Sequence, residues 1–234
     1  AEQSGPPDIS SVQRAGEPVT SAIDRRTLST TGNEKTSKWP RTSRRQERVR
    51  SVLERRQPDL TLILENVHDP HNVSAILRSC DAVGVLRVHA VYSIESPPPG
   101  MFARQTSASA AKWVDVVQHD AIGACVAQLR ESGFQVLATA LGQDSRPLHD
   151  WDLTRSVALI VGNEMRGVSD EALALADGMI EIPMVGMVQS LNVSVASAVC
   201  LYEAFRQRLA AGVYSAPRLA PEVLADMEQD WLKR

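Results

Sequence analysis

The chain has 234 residues, 43% of them hydrophobic, which is enough for one good-sized domain with a buried core and appended segments. No apolar run approaches the roughly 18 residues that span a bilayer, and the first residues lack an apolar signal segment, so we expect a cytoplasmic protein with no membrane partner. The three cysteines, Cys80, Cys125 and Cys200, lie far apart in sequence, which argues against a disulfide framework or a zinc knuckle.

Positive charge is concentrated in one short segment, although the net charge of the chain is only -3. Residues 41–56 carry seven arginines against two glutamates, whereas residues 57–234 have a net charge of -8. Apolar residues at helical spacing, followed by Pro58, predict a basic helix over residues 41–57. A basic helix of this kind indicates a nucleic-acid partner, with a solvated helix surface as the alternative.

The composition divides the chain into four segments. Residues 1–40 are rich in Ser, Thr, Pro and Gly and show little apolar periodicity, so we predict that they are disordered or loosely attached. Residues 41–58 contain the basic helix, residues 59–212 form the main domain, and residues 213–234 form a short helical tail.

From residue 60 onward, short apolar runs alternate with amphipathic ones. The predicted strands are Leu60–Glu65, Arg87–Tyr92, Val114–Val117, Gln135–Thr139, Val157–Val161 and Met179–Ile182. The predicted helices are Val73–Val83, Ile122–Glu131, Ser169–Ala176, Val193 to about Ala210, and Pro221–Leu232. This alternation predicts an α/β fold, with a parallel sheet flanked by helices on both faces.

Polar residues follow three of the predicted strands, and open α/β sheets bind ligands at the carboxyl ends of their strands. After the first strand we expect Asn72 to cap the next helix, and Arg78, on the buried side of that helix, to bind a phosphate, a carboxylate or a helix end. The alternatives are pure capping for Asn72 and a structural salt bridge for Arg78. His68, Asp69 and His71 lie nearby without a fourth ligand, so we expect no metal.

The second strand end is followed by GNEMRGVS at residues 162–169. Gly162 and Gly167 have the spacing of a phosphate-binding P-loop, but Val168 replaces the essential lysine, so we do not expect an NTPase. Glu164 is a candidate for hydrogen-bonding a hydroxyl or an amine, and the alternative is a solvated carboxylate in a turn.

The third strand end is followed by an apolar loop, MVGMVQS at residues 184–190. Loops are normally polar, so an apolar loop ahead of a helix predicts a pocket for a flat apolar ring, with Ser190 and Asn192 as polar anchors. The alternative is a methionine-rich loop that packs on a neighbour or a partner subunit. No GxGxxG motif follows any predicted strand, so a dinucleotide-binding fold is poorly supported.

Taken together, NVSAILR (72–78), GNEMRGVS (162–169) and IPMVGMVQSLNVSVASA (182–198) resemble the three motifs of the SpoU/TrmH-type RNA 2′-O-methyltransferases of the SPOUT superfamily. The likeness extends from about Arg45 to Arg208 and is greatest to the tRNA (guanosine-18) branch. It implies a deep C-terminal trefoil knot, which is a rare exception to the usual rules of chain topology. It also implies a homodimer that uses S-adenosylmethionine as cofactor and binds tRNA.

The resemblance assigns roles to individual residues as well. It implies a catalytic role for Arg78, Asn72, Glu164, Ser190 and Asn192. It implies that the cofactor is contacted by Thr139, Leu141, Gly162, Asn163, Glu164, Ile182, Met184 and Leu191. It implies that RNA is contacted by Arg45, Arg48, Arg56 and Arg206.

The implied reaction is attack of a ribose 2′-oxygen on a sulfonium methyl carbon. A hydroxyl is a poor nucleophile at neutral pH and a guanidinium does not readily lose its proton. We therefore expect Arg78, positioned by Asn72, to clamp the adjacent phosphate and stabilise the developing alkoxide. Three alternatives remain open: a ribosomal RNA methyltransferase of the same family, a non-catalytic RNA-binding module, and an α/β enzyme for a small nucleotide-like substrate.

Overall fold

The computed structural model of the protein describes residues 43–94, 97 and 110–234; the predicted disordered segment, residues 1–40, lies outside them. A seven-stranded sheet is at its centre, and every pair of neighbouring strands in it is parallel. The strands are β1 (Leu60–Glu65), β2 (Arg87–Val91), β3 (Asp115–His119), β4 (Gln135–Thr139), β5 (Ser145–Pro147), β6 (Val157–Val161) and β7 (Gly178–Glu181). Their order across the sheet is β3-β2-β1-β6-β4-β7-β5.

Helices cover both faces of this sheet. They are α1 (Ser43–Leu53), α2 (Pro70–Val83), α3 (Ile122–Glu131), α4 (Asp170–Leu175), α5 (Val193–Ala210) and α6 (Pro221–Lys233). One core lies between the sheet, α2 and α5, and the other between the sheet, α3 and α4. The predicted α/β fold with helices on both faces is therefore confirmed. Within the described residues, no helix is both long and apolar enough to cross a bilayer.

The central strands are continuous apolar runs because both of their faces are buried. In β1, Leu62 and Leu64 point into the core beneath α2 and α5, whereas Ile63 points into the core beneath α3 and α4. Strand β6 (VALIV) is buried along its whole length and pairs in register with β1. These two strands hold the carboxyl ends of the sheet centre in fixed relative positions.

The structure differs from the predicted elements in several details. Helix α1 ends at Leu53 rather than near residue 57, and β3 ends at His119 rather than Val117. Two further differences have clear causes. Strand β5 was not predicted, because it has only three residues, includes Pro147 and lies at the sheet edge. Helix α2 begins at Pro70, three residues earlier than predicted, and the Asp69 side chain caps it by accepting from the backbone N–H of His71. The prediction that Asn72 caps this helix is therefore wrong, and its side chain is available for other contacts.

The basic helix packs on the C-terminal helix. Val49 and Leu53 of α1 form a small apolar cluster with Trp231 and Leu232 of α6. Pairing of these two helices buries the apolar stripe of α1 and leaves most of its polar residues exposed. Helix α1 is thus a packed part of the fold rather than a separate arm.

Arg56 lies just beyond α1 and is fully buried. Its guanidinium is ion-paired with Asp81, donates to the carbonyl of Val85 at 2.9 Å and lies 5.0 Å from the ring centroid of Trp231. A guanidinium held in this way has no surface to offer a phosphate, so the prediction that Arg56 contacts RNA is wrong. Its function in this structure is to join α2 to the helix pair α1–α6.

A second buried guanidinium, that of Arg208, ties the end of α5 to the start of β1. It donates to the carboxylate of Asp59 at 2.7 Å, the side-chain oxygen of Gln57 at 3.0 Å and the carbonyl of Leu153 at 2.9 Å. Arg208 is fully buried and Asp59 is 2% exposed. Because both charges lie away from water, Arg208 depends on Asp59 for compensation, and Asp59 depends on Arg208 together with Arg218.

Replacing Arg208 by methionine should therefore destabilise the fold strongly. The Asp59 carboxylate would keep only its bond to Arg218, and the expected loss in the free energy of unfolding is about 3–5 kcal/mol. Urea denaturation measures this loss. Arg155→Met is the matched control, since Arg155 makes an exposed ion pair with Asp152 and its loss should cost at most about 1 kcal/mol. If both variants lost the same free energy of unfolding, Arg208 would not be a buried charge partner of Asp59.

Candidate active site

The sheet order brings four chain segments to one edge. Strands β1, β6, β4 and β7 are neighbours and parallel, so the segments that follow them leave the sheet at the same side. These segments contain the three motifs identified in the sequence, at residues 72–78, 162–169 and 182–198. The carboxyl edge of the sheet is therefore where the candidate site lies.

A chain of side-chain hydrogen bonds links all three motifs. The amide of Asn192 donates to the side-chain oxygen of Asn72 at 3.1 Å, and the amide of Asn72 donates to the carboxylate of Glu164 at 2.8 Å. Asn72 is only 9% exposed, so its two partners satisfy most of its polar capacity. The side-chain oxygen of Asn192 also accepts from the backbone N–H of Ser194 at 2.9 Å and caps α5. Three of the predicted catalytic residues are thus brought together.

The loop after β6 is folded onto itself. The side-chain oxygen of Asn163 accepts from the backbone N–H groups of Met165 and Arg166 at 2.9 and 3.2 Å, and its carbonyl accepts from Gly167 at 2.8 Å. A Cβ on Gly162 would lie 2.2 Å from the carbonyl carbon of Gly167, so only glycine allows this close approach. Since these N–H groups are bonded within the loop, the loop does not form a phosphate cradle.

Two residues at the end of β1 support the site and were not identified from the sequence. The carboxylate of Glu65, 2% exposed, accepts from the backbone N–H of Ser169 at 2.9 Å and from its hydroxyl at 2.5 Å. Asn66 has a φ of 52° and its carbonyl accepts from the amide of Asn163 at 2.9 Å. A glutamate that ends an otherwise apolar strand is the sequence signal that could have shown a buried carboxylate here.

A cleft of about 400 Å³ opens beside this network, lined by Asn66, His68, Ile94, Asn163, Met165 and Arg166. Tyr92 lies close by, with its ring 5.3 Å from that of His68 and its hydroxyl donating to the carbonyl of Val67 at 2.9 Å. Burial, assisted by the charge of Glu164, raises the pKa of Tyr92 to about 12, so its phenol stays neutral. The cleft therefore presents the amides of Asn66 and Asn163 and the guanidinium of Arg166 to a polar ligand, with the neutral Tyr92 behind them.

Arg78 does not have the predicted environment. It is exposed on α2 rather than on the buried side of the helix, and it forms no hydrogen bond or ion pair with any of the described residues. The side chain of Asn72 bonds to Glu164 and Asn192, not to Arg78. The predictions that Arg78 is buried and that Asn72 positions it are therefore wrong. An unpaired exposed guanidinium is instead available to an external anion.

The predicted cofactor residues lie at the ends of three adjacent strands. Thr139 ends β4, pairs with Ile180 of β7 and donates from its hydroxyl to the carbonyl of Ile160 in β6 at 3.0 Å. Leu141 is 63% exposed just beyond β4, and Ile182, Met184 and Leu191 are half-buried after β7.

The loop that joins β7 to α5 is open to solvent. Val185, Met187 and Val188 are all exposed, and so is Ser190. Apolar side chains so exposed need a ligand or a partner chain to cover them.

The predicted RNA-binding arginines occupy two helices. Arg45 and Arg48 are exposed on α1. Arg206 is exposed on α5, where its guanidinium makes two hydrogen bonds of 2.8 Å to the carboxylate of Glu203. This pairing lowers the pKa of Glu203 to about 2. To contact a phosphate, Arg206 must therefore share its donors with Glu203.

Comparison with known proteins gives concordant matches. The model of the SpoU rRNA Methylase family matches residues 59–202. A tRNA (guanosine(18)-2′-O)-methyltransferase of Thermus thermophilus is 54% identical over 194 residues, which are 83% of this chain and 98% of that protein. The crystal structure of the A. aeolicus TrmH/SpoU tRNA modifying enzyme has a TM-score of 0.72 at 40% identity, covering 81% of this chain and 95% of that one. The SpoU methyltransferase AviRb of Streptomyces viridochromogenes, in complex with AdoMet, has a TM-score of 0.56 at 26% identity, covering 67% and 62%.

The bond between Asn72 and Glu164 can be tested by Asn72→Asp. This change places a second carboxylate against Glu164, and we expect a loss of about 1–3 kcal/mol in the free energy of unfolding at neutral pH. Crowded carboxylates bind a proton more readily in the folded chain than in the unfolded one, so the variant should recover stability as the pH falls.

Urea denaturation at neutral and mildly acidic pH measures both effects. Asn72→Ala is the control, because it removes the same hydrogen bonds without adding charge and should not recover on acidification. The contact is not present in solution if the two variants show the same dependence on pH.

Proposed function

Because the chain belongs to the SpoU rRNA methylase family, we propose that it transfers a methyl group from S-adenosylmethionine to a guanosine 2′-hydroxyl of tRNA, at position 18 of the D-loop. The observation that carries the proposal is the hydrogen-bonded chain Asn192–Asn72–Glu164, because it assembles all three family motifs at one edge of the sheet. The identity of 54% to a tRNA (guanosine(18)-2′-O)-methyltransferase supports this choice of substrate.

The strand ends of β4, β6 and β7 suit the cofactor. Backbone groups of Thr139, Ile182 and Leu191 would hold its polar atoms, and the exposed side chain of Leu141 offers an apolar surface for adenine. Gly162, Asn163 and Met184 would complete this pocket. S-adenosylmethionine supplies an electrophilic methyl group on a sulfonium centre. The AdoMet complex of AviRb supports the assignment.

The protein residues would act mainly by orientation and charge. One carboxylate oxygen of Glu164 accepts from Asn72, while the other bonds to no described residue and can accept from a bound ligand. Ser190 and Asn192 would contact the substrate from the loop before α5. The exposed guanidinium of Arg78 would bind the adjacent phosphate and stabilise the alkoxide that develops as the ribose oxygen attacks. Since Arg78 keeps its own proton, we assign the hydroxyl proton to water at the open edge of the site.

The tRNA would dock on the basic helix α1. Arg45 and Arg48 are exposed there, and Arg48 also lines a cleft of about 250 Å³ together with Phe205 and Tyr214. Arg206 of α5 would extend the basic surface by sharing its donors between Glu203 and a phosphate. Helix α1 is held by α6, so the docking surface is rigidly attached to the catalytic domain.

We further propose a deep C-terminal trefoil knot. After β4 the chain makes β5 at the sheet edge, returns to β6 on the other side of β4, and then crosses β4 again to form β7. This double crossing supports a threaded topology. An experimental backbone trace without threading would contradict it.

We also propose a homodimer. Val195, Val199 and Tyr202 form an exposed apolar stripe on α5, next to the exposed apolar loop before it. A stripe of this kind fits a symmetric contact between two copies. Val199→Glu should give a monomer in sedimentation equilibrium. Gln118→Glu on the edge strand β3 is the control, and an undisturbed dimer in Val199→Glu would contradict the assignment.

We also place the protein in the cytoplasm, because a tRNA-modifying enzyme with three unpaired cysteines fits a reducing compartment.

Arg78→Lys tests the planar guanidinium. Lysine keeps the charge but cannot form a two-pronged contact, so we expect kcat to fall by about 10²- to 10³-fold with little change in KM for the cofactor. Single-turnover methyl transfer measures this effect, and Arg155→Lys should leave it unchanged. A variant with near-full kcat would show that charge alone suffices.

The double variant Arg45→Glu, Arg48→Glu tests the docking surface. Affinity for tRNA should fall, and the slope of log K against log salt concentration should flatten by about 0.7–0.9 for each lost phosphate contact, the range found for single-stranded and duplex DNA. Cofactor binding should be intact. Arg155→Glu is the control, because it reverses an exposed charge elsewhere on the protein. If the salt slope of the double variant were unaltered, α1 would not be the docking site.

The proposed activity is tested with purified protein, labelled S-adenosylmethionine and unmodified tRNA transcripts. Label should enter the transcript and map to the ribose of guanosine 18. A transcript with 2′-deoxyguanosine at that position lacks the acceptor oxygen and should accept no label. Methylation of ribosomal RNA fragments in place of tRNA would correct the substrate, and no transfer to either RNA would refute the activity.

A further inference from the structure

Two histidines and a cysteine meet at the edge of the sheet that lies away from the proposed active site. They are His89 of β2, His119 of β3 and Cys125 of α3. One ligand atom from each lies within 4.8 Å of the other two, and the Nδ1 of His89 is 2.9 Å from the Nε2 of His119. The imidazole rings are stacked, with centroids 5.1 Å apart. The proposed function uses none of these residues.

The fold itself produces this grouping. His89 pairs with Val117 and His119 pairs with Val91, so the histidines lie diagonally on adjacent parallel strands and on the same face of the sheet. Helix α3 packs over that face and contributes Cys125, which is fully buried. His89 is 5% exposed and His119 is half-buried, which leaves a route to solvent on the His119 side.

Both imidazoles are held in the neutral form that binds metals. Burial, together with the neighbouring His119, lowers the pKa of His89 to about 3, and burial lowers the pKa of His119 as well. At neutral pH each ring therefore has a nitrogen lone pair to donate. Zinc prefers neutral imidazole and cysteine thiolate. Burial raises the pKa of the Cys125 thiol to about 12, so the bound metal must displace that proton.

The distances suit a tetrahedral ion after small movements. With Zn–N bonds near 2.0–2.1 Å and Zn–S bonds near 2.3 Å, neighbouring ligand atoms are separated by about 3.3–3.6 Å. The nitrogens now 2.9 Å apart would need to separate by a few tenths of an ångström, and the sulfur would need to approach by at most about 1.3 Å. Rotation about side-chain torsions covers such shifts.

We propose that His89, His119 and Cys125 form a zinc site that joins β2, β3 and α3, with water as fourth ligand. Binding forms two Zn–N bonds and one Zn–S bond. The imidazole that donates in the present His–His hydrogen bond moves its proton to its other ring nitrogen, and the Cys125 thiol releases its proton to solvent. The sequence-based expectation of no metal considered only His68, Asp69 and His71; the fold creates a different grouping.

The site would stabilise the sheet edge rather than take part in methyl transfer. The active-site helices α2 and α5 cover the opposite face of the sheet, whereas the cluster lies under α3. Zinc that binds only the folded chain raises the free energy of unfolding. Once the zinc concentration exceeds Kd, this increase grows with the logarithm of that concentration. The proposal does not depend on the proposed RNA substrate, and failure of either leaves the other standing.

The test is titration of the untagged, metal-free full chain with Co²⁺, which reports on zinc sites through its spectrum. We expect one equivalent to bind, with tetrahedral ligand-field bands and a thiolate-to-cobalt charge-transfer band that Zn²⁺ abolishes. Cys125→Ser should lose the charge-transfer band, and His119→Gln should weaken binding by more than the ten- to hundredfold that is typical of losing an outer-shell partner.

Cys200→Ser is the control, since Cys200 is an equally buried thiol in α5, and it should bind Co²⁺ as the wild type does. The wild-type spectrum decides the matter even if a variant folds poorly. Absence of a thiolate band in the wild type, or a band that persists in Cys125→Ser, would overturn the proposal and leave His89 and His119 as a hydrogen-bonded pair.

Discussion

The candidate site depends on the two hydrogen bonds that the side-chain amide of Asn72 makes. Its two neighbours make opposite demands, because the Glu164 carboxylate can only accept a hydrogen bond and the Asn192 amide presents a donor. A carboxamide satisfies both at once, with its nitrogen toward one and its oxygen toward the other. An aspartate at this position could not donate to Glu164, and an apolar residue could bond to neither Glu164 nor Asn192. One short side chain therefore fixes the relative positions of three loops that are up to 120 residues apart in sequence.

The strands supply the rigidity that this contact needs. Strands β1 and β6 are buried and paired in register, so the segments that follow them start from fixed points. Glu65 and Asn66 then extend the order beyond the sheet by binding the loop at 163–169 through its side chains and backbone. The N–H groups of Met165 and Arg166 are already bonded within that loop, whereas their side chains line the cleft and can contact a ligand. Electrostatic catalysis requires polar groups that are held in place before the ligand binds.

Much of this architecture was predictable from the sequence, because long apolar runs such as β6 and the 18-residue α5 give strong periodic signals. The three motifs were predicted to meet, and their residues Asn72, Glu164 and Asn192 are in contact. Features set by tertiary packing were not predictable. Arg56 and Arg48 look equivalent in a basic segment, yet one is buried beneath Trp231 and the other is exposed. The pairing of His89 with His119 depends on strand register, and the short edge strand β5 has too few residues to produce a pattern.

The ion pair between Arg208 and Asp59 has a consequence for biosynthesis. These residues are 149 positions apart, so the carboxylate at the start of the first strand has no Arg208 partner until Arg208 has left the ribosome. Until then, the uncompensated carboxylate of Asp59 opposes burial of the start of the first strand. A contact that joins residues so far apart in sequence forms late, so the domain's final closure depends on residues made long after the strand that they stabilise.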